Sequence, residues 1–308
     1  MKRLIRQSEK RAGFTIVELL TVMSIIIILI GILVPSLNMV RRYATDVKQR
    51  AQFHSIEAAL ELFKNEPEFQ AYPDSAYKQS EFDEGGSNRY PGAARLCEAM
   101  VGQDLLGCHQ LSHFRSDGTV PPDTKNLYNT TGWGAAWDDN LKARKGPYLP
   151  LDRAHAYKLS DIYGAAGTGT LTSTLYVLCD EYARVKNAST GRRIGMPILY
   201  YKANTSGTIH DSNSTYLPVE GDNKGQFYNY LDNNYLVGLG MPWNPPTAPG
   251  GTPAHLMYTE PKRFYESTKN GNIVNASRPY RADSYILISA GFDGQYGTAD
   301  DIFNFEKE

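Results

Sequence analysis

Three cysteines in 308 residues are too few for a disulfide-dense scaffold and allow at most one intramolecular bridge. A basic excess is also missing. Lys and Arg number 32 against 33 Asp and Glu, for a formal net charge of −1, so the chain lacks the electrostatic footprint of a nucleic-acid binder. No nucleic-acid partner is expected. There is no Gly-x-Ser-x-Gly elbow, P-loop, dinucleotide fingerprint, His-Glu-x-x-His or Cys-x-x-Cys, so no catalytic site can be assembled from motifs and no enzymatic activity is expected. Proline is absent from the first 34 residues, which leaves a long helix unopposed there.

What is present instead is a single long uncharged run. No residue from 19 to 34 carries a charge, and residues 16–40 are long enough at helical rise to cross a hydrocarbon core of roughly 30 Å. Glu18 stands at the start of this run, at membrane depth. An ionised carboxylate there costs roughly 2.5–3.5 kcal/mol, so it needs a partner. Ahead of it lie Lys2, Arg3, Arg6, Lys10 and Arg11 against Glu9, a net +4 that holds the N-terminus on the cytoplasmic side and leaves −5 for the remainder. Met39, Val40, Arg41 and Arg42, which follow the run, offer no small-residue cleavage site, so the anchor is expected to stay.

Residues 41–66 contain no Pro or Gly. Within them Phe53, Ile56, Leu60 and Phe63 recur at spacings of three, four and three, with Arg50, Glu57, Glu61 and Lys64 on other faces. The spacing predicts an amphipathic continuation of the same helix, stopped by Pro67. Sixteen of the seventeen prolines fall from Pro67 onward, so residues 67–308 read as a sheet-and-loop domain large enough for its own core. Strands are expected at 174–178, 198–202 and 284–289, and short helices at 96–106 and at either 152–162 or 140–145. Residues 241–253, with five prolines, read as a rigid irregular loop. The fold class is therefore α+β, a long N-terminal helix against an antiparallel sheet. Trp133, Trp137 and Trp243 either pack that sheet or line a sugar- or peptide-binding surface.

The segment Gly13-Phe14-Thr15-Ile16-Val17-Glu18, after a basic leader and before the apolar run, resembles the prepilins of type IV pili and the pseudopilins of type II secretion systems. The resemblance covers residues 1–66, and more loosely the last twenty. It implies a prepilin peptidase that cuts after Gly13 and methylates the amine of Phe14. It also implies that Glu18 pairs with the terminal amine of a neighbouring subunit in a fibre, and that Pro35 lies where family members kink the helix. On that comparison residues 1–13 are a cytoplasmic leader and 14–40 the membrane and fibre-core half. Residues 41–66 are then the amphipathic half, and 67–308 a periplasmic or extracellular domain. Residues 72–280 are much enlarged relative to compact major pseudopilins.

The implied function is that of a structural pseudopilin, anchored by one span in the inner membrane and then built into a pseudopilus that promotes protein export. Its partners would be copies of itself, other pilins or pseudopilins, and an inner-membrane assembly platform. The alternatives are a type IV pilin or minor pilin used in adhesion, motility or DNA uptake, and a membrane-anchored binding protein without any fibre.

A second motif lies at residues 289–302, where Asp293, Asp300 and Asp301 stand among glycines directly after the strongest strand. Carboxylates with Gly-permitted carbonyls are the hard-oxygen set that Ca²⁺ prefers, although the spacing is not that of an EF-hand. The loop resembles the C-terminal calcium loop of the major type II pseudopilin, which implies structural Ca²⁺ held by Asp293, Asp300 and Asp301. The competing reading is a turn whose Asp side chains cap backbone N–H groups. Among the cysteines, Cys97 and Cys108 are spaced to close a small loop, leaving Cys179 free. A metal site from Cys97, Cys108, His109 and His113 is the weaker alternative.

Overall fold

The computed structural model describes residues 15–76, 89–120, 123–128, 140–187, 189–219, 222–244 and 254–307. Gly13, Phe14, Trp133, Trp137 and most of the proline-rich 241–253 stretch lie outside the described residues. Contacts divide the chain into residues 1–44 and residues 45–308.

Helix α1 spans Ile16–Asn65, ending two residues before Pro67, whose ring disfavours helix in the residue preceding it. Pro35 sits inside α1, and the helix continues on both sides of it. Throughout the first unit the large apolar side chains are exposed, Ile16, Ile27 and Ile32 among them, and α1 is long and apolar enough to cross a membrane. In the second unit the helix changes character. Phe53, Ile56, Leu60 and Phe63 are buried, as their spacing predicts, and Gln49, Gln52 and Ala59 are buried with them.

The rest of the second unit is mixed α and β. In chain order it contains α2 (Gly92–Val101), β1 (Cys108–His109), β2 (Thr119–Val120), β3 (Asp123–Asn126) and β4 (Arg144–Lys145). Next come α3 (Leu151–Ala154), β5 (Ala156–Lys158), α4 (Leu159–Tyr163), β6 (Tyr176–Leu178), β7 (Val185–Lys186) and β8 (Arg193–Ile194). Then follow β9 (Leu199–Lys202), α5 (Asn234–Val237), α6 (Leu256–Thr259), α7 (Lys262–Thr268), β10 (Tyr285–Ser289) and β11 (Ile302–Phe303). The central sheet has the order β11-β10-β9 and is antiparallel, with Leu199 opposite Ile288 and Ile288 opposite Phe303. The other described strands pair as two-stranded antiparallel ribbons, β1 with β4, β2 with β3, β5 with β6 and β7 with β8.

Strand β10 is buried at every position because both faces are covered. Its side chains alternate between two cores, as a period of two requires. Tyr285 and Leu287 join Phe53, Ile56, Leu60 and Phe63 of α1 and Leu96 and Met100 of α2. Ile286 and Ile288 face the other side, among Leu199, Tyr201, Tyr228, Phe264 and Tyr296. Gly92 lets α2 start against the sheet: a Cβ there would stand 2.3 Å from the carbonyl oxygen of Tyr200. Asn233 completes the junction, donating to that carbonyl from Nδ2 at 2.8 Å and accepting the Ala93 N–H on Oδ1 at 2.8 Å.

The three expected strands are present at slightly shorter lengths. The helix expected at 96–106 instead starts at Gly92 and stops at Val101, because Gly102 takes φ 84°. The alternative expectation of one helix over 152–162 becomes α3, β5 and α4, since His155 adopts a left-handed φ of 45° and turns the chain into a strand.

Candidate functional site

Glu18 is the third residue of α1, and its surroundings are local. Its carboxylate accepts the Thr15 N–H and the Thr15 hydroxyl, both at 2.8 Å, and Thr15 Oγ1 accepts the Glu18 N–H at 3.2 Å. This is a capping box, and it satisfies donors that a helix start otherwise leaves open. Its signature, Thr-x-x-Glu ahead of an apolar run, is legible in the sequence and was missed there. The box holds the acid at the positive end of the helix dipole, with its side chain exposed.

In the C-terminal loop between β10 and β11, Gly291, Gly294 and Gly297 all have positive φ. At Gly291 the requirement is also steric, because a Cβ would lie 2.0 Å from the carbonyl oxygen of Asp300. The three aspartates do different things. Asp293 Oδ1 accepts the Gln295 N–H at 2.8 Å. Asp300 is exposed. Asp301 is turned inward: Oδ2 accepts the Gly297 N–H at 2.8 Å, and Oδ1 is buried with no hydrogen-bond partner among the described residues. Burial pushes the Asp301 carboxyl well above its usual range, the Gly297 N–H opposes this, the nearby Asp293 carboxylate adds to it, and Lys307 also opposes it.

The three side chains are therefore not gathered into one ligand set. Among the described residues, no group of three or more His, Cys, Asp or Glu is placed to hold a metal ion. What fits a cation is narrower: the orphaned Asp301 Oδ1, the neighbouring Asp293 carboxylate and the carbonyls of a glycine-bent loop.

Cys97, Cys108 and Cys179 are free and buried, so the bridge expected between Cys97 and Cys108 is not formed. Cys97 lies on α2 with no exposure, inside the core that α1 covers. The Cys108 thiol instead donates to the His109 carbonyl at 3.8 Å. Burial raises all three thiols above their ordinary range, which makes them poor thiolates. His109 Nδ1 accepts the Leu111 N–H at 3.1 Å, and among the described residues Cys97, Cys108, His109 and His113 are not grouped to hold a metal ion.

Two constellations escaped the sequence reading. One is a polar clasp between α1 and the segment after β6. Gln52 donates to the Cys179 carbonyl at 2.8 Å, Gln49 accepts the Glu181 N–H at 2.9 Å, and Tyr182 donates to Asp46 at 2.6 Å. At the centre of that segment, Asp180 is buried with its carboxyl pushed up to about 7, chiefly by desolvation, against hydrogen bonds from Ser289, Met196 and Tyr182.

The other is centred on Glu98 of α2, which is 1 % exposed. Its two oxygens accept from Tyr128 at 2.7 Å, Tyr90 at 2.7 Å, Gln103 at 2.9 Å and Ser112. These partners are scattered over residues 90–128, so no local pattern announces them. Comparison with family models, with curated proteins and with solved structures finds no match to this chain.

Proposed function

We propose that this chain is a structural fibre subunit of the pilin class, and specifically a pseudopilin of a type II secretion system. The observation that carries the reading is the form of α1. Its N-terminal half is exposed, apolar and uncharged save for one carboxylate at its start, while one face of its C-terminal half is buried in an α+β domain. An apolar helix of this kind is costly in water and stable in lipid or among copies of itself. Assembly would exchange lipid for the same face of neighbouring helices, and Glu18 would set the register by pairing with a neighbour's terminal amine. Processing after Gly13 would generate that amine at Phe14, two residues before α1 begins.

The test is incorporation. Glu18→Ala expressed beside the native chain should reach the membrane normally yet be lost from sheared or cross-linked fibres. Equal incorporation of both forms would contradict the reading and favour a simple tethered protein.

In this reading the C-terminal loop favours the secretion type over an adhesion or motility pilus, because the buried Asp301 oxygen, unpartnered among the described residues, would suit a cation. Asp301, with Asp293 and loop carbonyls, would hold Ca²⁺, and Asp300 would stay outside the shell. The ion would neutralise the two acids and fasten the loop to β10 and β11. It would supply folding energy and take no part in any reaction.

A further inference from the structure

A cleft of about 340 Å³ lies beside the Glu98 network, between the C-terminal end of α2, Ser116, the end of β5 and the start of β6. That volume lies in the range of small-ligand pockets. Two of its lining residues each carry a buried polar atom without a partner among the described residues, Ser116 Oγ and Asp104 Oδ2. Ser116 is 9 % exposed. A buried hydroxyl and a buried carboxylate oxygen left open each carry a desolvation cost that a ligand's hydroxyl groups would relieve.

The charges around the cleft balance. Asp104 Oδ1 is held by Arg144 at 2.7 Å. Both Glu98 oxygens are already occupied by four donors. Lys158 brings the remaining positive charge, 5.5 Å from the Tyr176 ring centroid. An anion would meet the Asp104 carboxylate, and a cation would meet Lys158. A neutral ligand with many hydroxyl groups meets neither penalty. It finds an acceptor in Asp104, a donor in Lys158, groups of both kinds in Ser116 and Thr174, and the flat apolar ring of Tyr176 at the rim.

We propose that this cleft binds a neutral saccharide, with Asp104, Ser116 and Lys158 as the discriminating contacts. The site is independent of the fibre reading, since it uses nothing from residues 1–44.

The experiment is calorimetric titration of the full-length protein, held in a zwitterionic detergent that carries no sugar headgroup, with D-glucose, D-galactose and N-acetyl-D-glucosamine. Inorganic phosphate and ethanolamine serve as the charged comparisons. We expect millimolar or tighter binding of at least one sugar and none of either ion. Lys158→Ala should weaken the sugar about tenfold or more, the size of a lost charge-assisted hydrogen bond, and Ser116→Phe should abolish binding by filling the cleft. Lys158 is half-buried at a strand end, so Lys158→Ala keeps the comparison alive if Ser116→Phe does not fold. Binding of no sugar, preference for phosphate or ethanolamine, or sugar affinity unchanged in Lys158→Ala would each overturn the assignment.

Discussion

Arg281 closes on Glu57 of α1 at 2.6 Å, and the same Glu57 oxygen accepts the Asn304 side-chain amide at 3.0 Å. One carboxylate thus joins the helix to the segment before β10 and to the segment after β11. Glu57 is 17 % and Arg281 34 % exposed at the side chain, so the pair is shielded on the helix side. Truncating Glu57 to Ala leaves both donors short of a partner and should cost about 1–3 kcal/mol of unfolding free energy. Arg281→Ala should cost less, and the double variant should fall short of the sum. Chemical denaturation of the three variants measures this, and strict additivity would show that the contact does not couple the segments.

Phe63 should matter more than any polar contact on α1. It is 1 % exposed, stacks on Phe69 at 4.0 Å and meets Tyr148 edge-on at 5.8 Å. Phe63→Ala should destabilise the second unit by about 3–5 kcal/mol. The adjacent Leu62 is 58 % exposed, and Leu62→Ala should change stability by less than about 0.5 kcal/mol.

Asp180 makes stability depend on pH in a stated direction. Its folded pKa of about 7 lies above the ordinary carboxylate value of 3.8, so the folded state holds the proton more tightly. The stabilisation is fully present below the unfolded pKa and is lost as pH rises through about 7. Asp180→Asn, which keeps a neutral side chain of the same shape, should flatten the decline in melting temperature between acid and mildly alkaline pH. An unchanged slope would locate the titration elsewhere.

Asp301 gives a second pH effect that calcium should reverse. Without metal, its raised pKa means that stability falls as pH climbs above the usual carboxylate range. Calcium binds the deprotonated form, so the melting temperature should rise on adding Ca²⁺ and the gain should grow with pH. Asp301→Asn should remove both effects, while Asp300→Asn, at an exposed position, should remove neither. A calcium response that survives Asp301→Asn would contradict the assignment.

The local parts of this architecture were legible because they are written in periodicity. The 3.6-residue spacing of Phe53, Ile56, Leu60 and Phe63 names the buried face of α1, and the continuous apolar run of β10 marks a strand covered on both sides. Boundaries failed where one backbone angle decides, at Gly102 and at His155, since neither residue type demands the left-handed region. The site was legible only in part. Adjacent Asp300 and Asp301 look equivalent in the sequence, yet the turn exposes one and buries the other. Cys97 and Cys108 look like partners, but both are buried in one core as free thiols, and Cys108 donates to the His109 carbonyl. The Glu98 network ties Glu98 to residues up to thirty positions away, and such contacts leave no spacing signature.

The central claim is that α1 belongs to a processed fibre subunit, and the most direct test is the mass of the mature N-terminus in protein taken from its native host. Cleavage after Gly13 with an N-methylated Phe14 is the predicted result. An intact leader, or cleavage beyond the apolar run, would contradict it.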